Sequence, residues 1–207
     1  MKDIVVVDYQ AGNLRSVVRA LELSGARPTI SSDPEVISNA AALVLPGQGA
    51  CDTAMEALRT GNLIPVLRNG IDSGKPFLGI CLGLQLLLEL TEEGDAPCLG
   101  IFPGKVRRLP DNLKVPHMGW NQVYFRKNHR IFKDVPQNSN FYFVHSYYAD
   151  PDDDELVVAT TDYGISFCVA LAKDNLVATQ FHPEKSGDIG IQIYRNFVDF
   201  ASVRYNK

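Results

Sequence analysis

The residue best suited to nucleophilic chemistry is Cys81, at the centre of Gly79-Ile80-Cys81-Leu82-Gly83-Leu84-Gln85. The apolar run KPFLGI leads into it as a buried strand would, and a leucine-rich run follows it with helical spacing. A strand that turns at once into a helix forms a sharp elbow, and the residue at its apex takes a strained backbone. Glycines two positions to either side remove the side chains that would collide where strand and helix pack so closely. The elbow sets the sulfur at the first turn of a helix, where unpaired N–H groups and the dipole favour a thiolate, the nucleophilic form. Taken alone, the pattern also suits a small buried core cysteine.

A cysteine nucleophile needs a base, and the chain has four histidines, His117, His129, His145 and His182. His182 stands in Gln180-Phe181-His182-Pro183-Glu184, directly after the strand-like LVATQ. Pro183 biases His182 toward extended geometry, and in extended chain residues two apart point the same way. Glu184 can therefore orient the imidazole or hold its proton. A lone histidine is ordinarily structural; His-Pro-Glu at a strand end, with a cysteine elbow elsewhere, favours catalysis. Pro46-Gly47-Gln48-Gly49 also follows a buried strand. Its glycines let the backbone N–H of Gln48 or Gly49 turn toward a developing oxyanion, with Leu82 N–H as second donor. By itself this segment is equally an ordinary turn.

The elements around these residues follow from hydrophobic patterning. Ile4–Val7, Ala42–Leu45 and Phe77–Ile80 are continuous apolar runs, as in parallel strands buried on both faces, with a shorter strand at Pro28–Ile30. Helical spacing covers Asn13–Leu23, Pro34–Asn39, Cys51–Leu58, Leu63–Ile71 and Leu82–Leu90. This alternation predicts an α/β fold, a mostly parallel sheet with helices on both faces. Ligands of such sheets bind beyond the carboxyl ends of the strands, where 46–49, 81 and 182–184 all fall. The second half instead shows short runs at Val106–Leu109, Gln122–Phe125, Asn140–Val144, Leu156–Thr161, Ser166–Leu171 and Leu176–Gln180. They predict added antiparallel strands, a hairpin turn at Asp174-Asn175 and a closing helix over Gly187–Val203. The acidic run Asp150–Glu155 reads as a solvated loop. No repeat or linker interrupts the chain, so 1–207 is expected to form a single domain.

At 207 residues and a net charge of −4 the chain has no basic footprint, which argues against nucleic acid and anionic membrane as partners. No apolar stretch is long enough to span a bilayer. MKDIVVVDYQAGN reads as a first strand rather than a signal peptide, so a cytoplasmic location is expected. Cys51, Cys81, Cys98 and Cys168 are scattered, with neither a disulfide framework nor zinc-ligand spacing. Cys51, Cys98 and Cys168 read as structural, and no metal or cofactor is expected.

G-x-C-x-G-x-Q at Gly79–Gln85 and H-P-E at His182–Glu184 together resemble the class I (triad) glutamine amidotransferases, over essentially the whole chain. The resemblance implies a flavodoxin-like fold in which Cys81 attacks the side-chain amide of glutamine. His182 would shuttle the proton, Glu184 orient His182, and Gln85 help hold the substrate. Asp8-Tyr9 with Gly12-Asn13-Leu14, Leu45–Gly49 with Ala54-Met55, Val115–Asn121 (VPHMGWN) and Phe143–Tyr147 (FVHSY) resemble one branch, the glutaminase subunits of imidazole glycerol phosphate synthases, from histidine biosynthesis. That branch implies a heterodimer with a (β/α)8-barrel subunit, which uses the ammonia to make imidazole glycerol phosphate and an aminoimidazole carboxamide ribotide. Asn13, Pro116, His117, Met118, Trp120 and Tyr142 would lie near the partner, with His117 shaping an interface loop. His145, Ser146 and Tyr147 would bind glutamine, largely through backbone groups. Gln10 and Gln48 depart from the pattern, standing where a glycine and a small branched residue are usual, and the second bears on the oxyanion loop. The rivals are a glutaminase of another pathway, which PHMGWN argues against, and a non-catalytic subunit, which the intact triad argues against. So short a chain leaves no room for acceptor chemistry, so the isolated protein is expected to be nearly silent until a partner takes the ammonia.

Overall fold

The three apolar runs of the first half become β1 (Ile4–Val7), β3 (Ala42–Leu45) and β4 (Phe77–Ile80), every residue of them buried, in a computed structural model that describes residues 3–10, 12–94 and 96–203. With β2 (Thr29–Ser31) and β12 (Leu176–Thr179) they form a parallel unit in the order β2-β1-β3-β4-β12. Strand pleating sends alternate side chains to opposite faces, and two separate hydrophobic cores result. Val5 and Val7 join α3 (Cys51–Thr60) and α4 (Leu63–Asp72) on one face. Ile4 and Val6 join α1 (Leu14–Leu23) and α6 (Gly187–Val203) on the other. A short α2 (Pro34–Asn39) starts at Asp33, whose carboxylate caps the Glu35 N–H. This is the α/β architecture the patterning predicts.

The sheet continues antiparallel through β11 (Ser166–Lys173), β10 (Val157–Asp162), β7 (His117–Phe125) and β8 (Ser139–His145). β5 (Leu90–Thr91), β6 (Gly104–Arg108) and β9 (Tyr147–Pro151) form a side branch joined through β9 to β11. β11 and β12 are a hairpin turning at Asp174-Asn175, where Asp174 takes φ +52°.

Three departures from the sequence reading come from pairing with residues elsewhere in the chain. The helix expected over Leu82–Leu90 ends as α5 at Gln85. Leu86, Leu87 and Leu88 are all fully buried. Their carbonyls accept N–H groups from Leu99 to Phe102 instead of continuing a helix. VPHMGWN contributes a strand, since β7 begins at His117 and pairs with β8 from His117↔His145 onward. The acidic run is a solvated loop only in part: Asp150 and Pro151 lie in β9, opposite Lys105 and Gly104.

Candidate active site

The elbow forms where β4 ends. Cys81 N–H donates to Thr179 C=O at 2.7 Å, which extends the β4–β12 ladder by one residue before the chain turns. Cys81 takes φ +55° and ψ −108°, a conformation that costs a non-glycine residue on the order of 1–3 kcal/mol. The flanking glycines are a packing requirement. A Cβ on Gly83 would stand 1.9 Å from the Leu45 carbonyl oxygen, and one on Gly79 would stand 2.8 Å from that of Gly83.

His182 follows β12, and its N–H is held by Tyr142 C=O at 2.9 Å. Its Nδ1 lies 2.8 Å from Glu184 Oε1, with both side chains essentially fully buried. The i,i+2 meeting arises in a 3-10 turn opened by Pro183, not in extended chain as the sequence suggested. Glu184 Oε1 also accepts from Asn13 Nδ2 at 2.9 Å, and its Oε2 from Tyr194 OH at 3.3 Å. Asn13, expected at a partner surface, is thus buried against the carboxylate. Burial lowers the His182 pKa, but the Cys81 sulfur and Glu184 more than offset it and raise it to about 10. Burial also works against the Glu184 carboxylate, and His182 outweighs it and holds that pKa low. His182 Nε2, the ring nitrogen that Glu184 does not hold, is buried without a hydrogen-bond partner among the described residues.

A cavity of about 460 Å³ opens at this point. Cys81 and His182 line it, and the loop residues Gln48 and Gly49 line it with Leu82. Gly49 takes φ +92°. The loop is anchored by Tyr9 OH, which donates to Pro46 C=O at 2.8 Å. The Gln48 amide covers Gly12, where a Cβ would stand 2.0 Å from Nε2. The other departure, Gln10, takes φ +74°, which explains the suitability of glycine there; its N–H donates to Asp8 Oδ1 at 2.8 Å.

Gln85, His145, Ser146 and Tyr147 also line the cavity, as does Pro116. Gln85 is committed to the wall: its two N–H groups go to Tyr147 C=O at 2.8 Å and Gln180 Oε1 at 3.0 Å. His145 Nδ1 lies 2.9 Å from the same carbonyl, and its Nε2 lies 2.9 Å from His117 Nδ1. His117 is therefore an interior strand residue, not part of an interface loop. Met118 and Trp120 point the opposite way, 62% and 58% exposed, and Trp120 meets Tyr142 edge-on at 6.2 Å. Sequence reasoning missed three residues here. Glu93 and Lys185 line the cavity, and fully buried Gln180 places Nε2 3.6 Å from Cys81 Sγ. The two-residue spacing from His182 was the available signal for Gln180. His129 takes no part and caps a 3-10 turn at Ile131 instead.

A model of the family "Glutamine amidotransferase class-I" matches residues 5–200. Proteins described as imidazole glycerol phosphate synthase subunit HisH are similar along nearly their whole length. The one from Dehalococcoides mccartyi (strain CBDB1) is 47% identical, covering 96% of this chain and 97% of its own. The one from Thermosynechococcus vestitus is 51% identical, covering 94% and 95%. Two solved structures share the fold. A putative GMP synthase protein from Thermoplasma acidophilum has a TM-score of 0.75 at 23% identity, covering 100% of this chain and 96% of its own. PurLQS from Thermotoga maritima has a TM-score of 0.76 at 18% identity, covering 100% of both. With a cysteine elbow, a buried His–Glu pair and this likeness along the whole chain, the protein belongs to the class I glutamine amidotransferases, within the family of imidazole glycerol phosphate synthase HisH subunits.

Proposed function

We propose that the chain hydrolyses glutamine to glutamate and ammonia through a cysteinyl thioester, and hands the ammonia to a (β/α)8-barrel synthase subunit. The observation that carries this reading is the buried Glu184–His182 pair, 2.8 Å apart, beside a cysteine held at a strained elbow. In the first half-reaction the Cys81 sulfur attacks the side-chain carbonyl carbon of glutamine. The oxyanion is met by the N–H of Gln48 or Gly49 together with that of Leu82. His182 protonates the leaving nitrogen from Nε2, the C–N bond breaks and ammonia departs. In the second, His182 takes a proton from water, hydroxide attacks the thioester, and the C–S bond breaks to release glutamate and restore the thiol. Glu184 keeps the imidazole in the orientation both steps need. The cavity wall offers a carboxylate, Glu93, to the substrate's α-ammonium and an ammonium, Lys185, to its α-carboxylate.

The exposed side chains Met118 and Trp120, with Tyr142 and Pro116 beside them, suit a docked protein surface. The names of the relatives support a synthase complex in histidine biosynthesis, where the ammonia would be consumed before it protonates in bulk water. No helix among the described residues is long and apolar enough to cross a membrane. The four cysteines are unpaired and buried, which suits the reducing cytoplasm.

The test is glutamate release by the purified chain, alone and with the barrel partner plus its ribotide substrate, each beside Cys81→Ala. Low basal release that rises by orders of magnitude with both additions and vanishes in the variant is expected. Brisk release without a partner would overturn the coupled reading, and release that survives Cys81→Ala would overturn the triad.

A further inference from the structure

We propose that Gln180 is the residue that holds the Cys81 sulfur, as a donor whose direction is fixed, through Gln85, by the Tyr147 carbonyl of β9. The proposal rests on Cys81 being the nucleophile and adds a further group in contact with the reacting sulfur.

A glutamine amide can be turned over to exchange its oxygen and nitrogen, so contact alone does not make Gln180 a donor. The neighbours decide it. The Tyr147 carbonyl can only accept, so Gln85 must present Nε2 to it, at 2.8 Å. The remaining N–H of Gln85 then requires an acceptor, which is Gln180 Oε1 at 3.0 Å. Gln180 is left with Nε2 toward Cys81 Sγ at 3.6 Å. Turned over, it would set N–H against N–H at Gln85 and a carbonyl oxygen against the sulfur.

The same carbonyl fixes the two histidines. His145 Nδ1, 2.9 Å from Tyr147 C=O, must carry the proton, so its Nε2 is a lone pair. That lone pair accepts from His117 Nδ1 at 2.9 Å, and His117 Nε2 in turn accepts from Asn121 Nδ2 at 3.2 Å. Both rings are neutral, in keeping with burial, which lowers His117 to about 4 and His145 to about 3. A proton added to either would oppose two N–H groups. Asn121 is itself held by Asp162 C=O at 2.9 Å and by the Gln122 N–H at 2.8 Å. The two arms meet at Tyr147 C=O, and the Gln85 arm leaves the Gln180 amide one allowed orientation. Gln180 has no conformational freedom of its own to add: it is fully buried, and its backbone N–H donates to Val169 C=O at 2.8 Å.

A fixed N–H donor beside the sulfur steadies negative charge there as it attacks, as hydrogen bonds to the charged form do. Two substitutions separate this role from support of Gln85. Gln180→Glu keeps an acceptor for Gln85, removes the donor and adds a negative charge beside the sulfur. Gln180→Met has similar volume and removes both interactions. The measurement is the rate of Cys81 carboxamidomethylation by iodoacetamide at pH 7, followed by peptide mass spectrometry, with melting as a control for folding. A hydrogen bond to a charged group is worth about a factor of ten or more. We expect about a tenfold loss of rate in Gln180→Met, and about a hundredfold in Gln180→Glu once charge repulsion is added. A Gln180→Glu protein that reacts as fast as the parent would overturn the proposal and leave Gln180 a support for Gln85.

Should both variants melt early, the unmutated amide supplies the readout. With glutamine side chains labelled for NMR, the Gln180 amide signal must move when Cys81 is replaced by alanine. An unmoved signal would overturn the proposal. Neither measurement uses glutamine as substrate, so the glutaminase reading can fail, by glutamate release that survives Cys81→Ala, independently of this one.

Discussion

The two halves of the sheet meet at β12, which pairs in parallel with β4 and antiparallel with β11. On the parallel side, β1, β3 and β4 are buried on both faces, and the loops after β3 and β4 carry Gln48, Gly49 and Cys81. On the antiparallel side, β7 alternates between a buried face, with His117 and Val123, and an open one, with Met118, Trp120 and Tyr124. Side chains gripped from both sides can hold a strained backbone in place, as at Cys81. A strand with one free face can present apolar side chains to another protein. His182 and Glu184 emerge from the seam, so the pair is tied to both halves: Asn13 and Tyr194 hold Glu184 from the helical layer, and Tyr142 on β8 holds the His182 backbone.

The contrast can be broken from either side, and the largest effect is expected in the loop of the parallel half. Gln48→Pro removes one N–H from the loop proposed to meet the oxyanion, and glutaminase turnover with a barrel partner added should fall by several orders of magnitude, beyond the roughly hundred- to thousandfold loss for a single donor, because proline also restrains the loop. Near-normal turnover would exclude the Gln48 N–H as a donor. Gly83→Ala pushes a Cβ into the Leu45 carbonyl, with 1.9 Å available. Denaturant titration should show a loss of at least about 3 kcal/mol, since backbone, not a flexible side chain, must move. A loss below about 1 kcal/mol would show that the elbow is looser than described.

At the seam, Glu184→Gln should lower kcat about a hundredfold, the usual reach of a group that supports acid–base catalysis. Its effect on stability should depend on pH in a definite way. His182 is raised from 6.5 to about 10, so its contribution is complete below 6.5 and is lost as pH rises through 10. Glu184 is lowered from 4.5, so its contribution is complete above 4.5 and is lost as pH falls below. The stability gap between parent and variant should be widest between pH 4.5 and 6.5 and narrow on both sides. A gap independent of pH would mean the pair is not ionised as described. The smallest effect on the chain itself is expected on the open face. Trp120→Ala should leave its melting unchanged and weaken binding to the barrel partner by about 2 kcal/mol, as an aromatic anchor does. Titration calorimetry that found unchanged affinity would take β7 out of the interface.

The parallel half was largely legible from sequence because its signals are local and redundant. IVVV, ALVL and FLGI admit few readings other than buried strands, and Gly79 and Gly83 around Cys81 announce a close approach whose partner, Leu45, only the structure supplies. The antiparallel half was harder. The end of β9, Asp150-Pro151, hides in an acidic run because its pairing comes from β6, distant in sequence. The Leu86–Leu88 turn is set by the carbonyl acceptors it offers to residues 99–102, again a long-range effect. His182 and Glu184 were visible as a motif, and Cys81 by its elbow. Asn13 and the His117–His145 pair act through partners far along the chain, so their types and spacing alone could not assign them, and Gln180 showed only its two-residue spacing from His182.

The chemistry of the site depends above all on Cys81 being the atom that attacks glutamine. The most direct test is to treat the chain, with a barrel partner added, with a glutamine analogue bearing an electrophilic γ-diazoketone and to map the adduct by peptide mass spectrometry. The prediction is one adduct, on Cys81 and on none of Cys51, Cys98 or Cys168, slowed by added glutamine, with glutamate release lost in step. Labelling of another residue, or glutamate release that continues once Cys81 is fully modified, would contradict it.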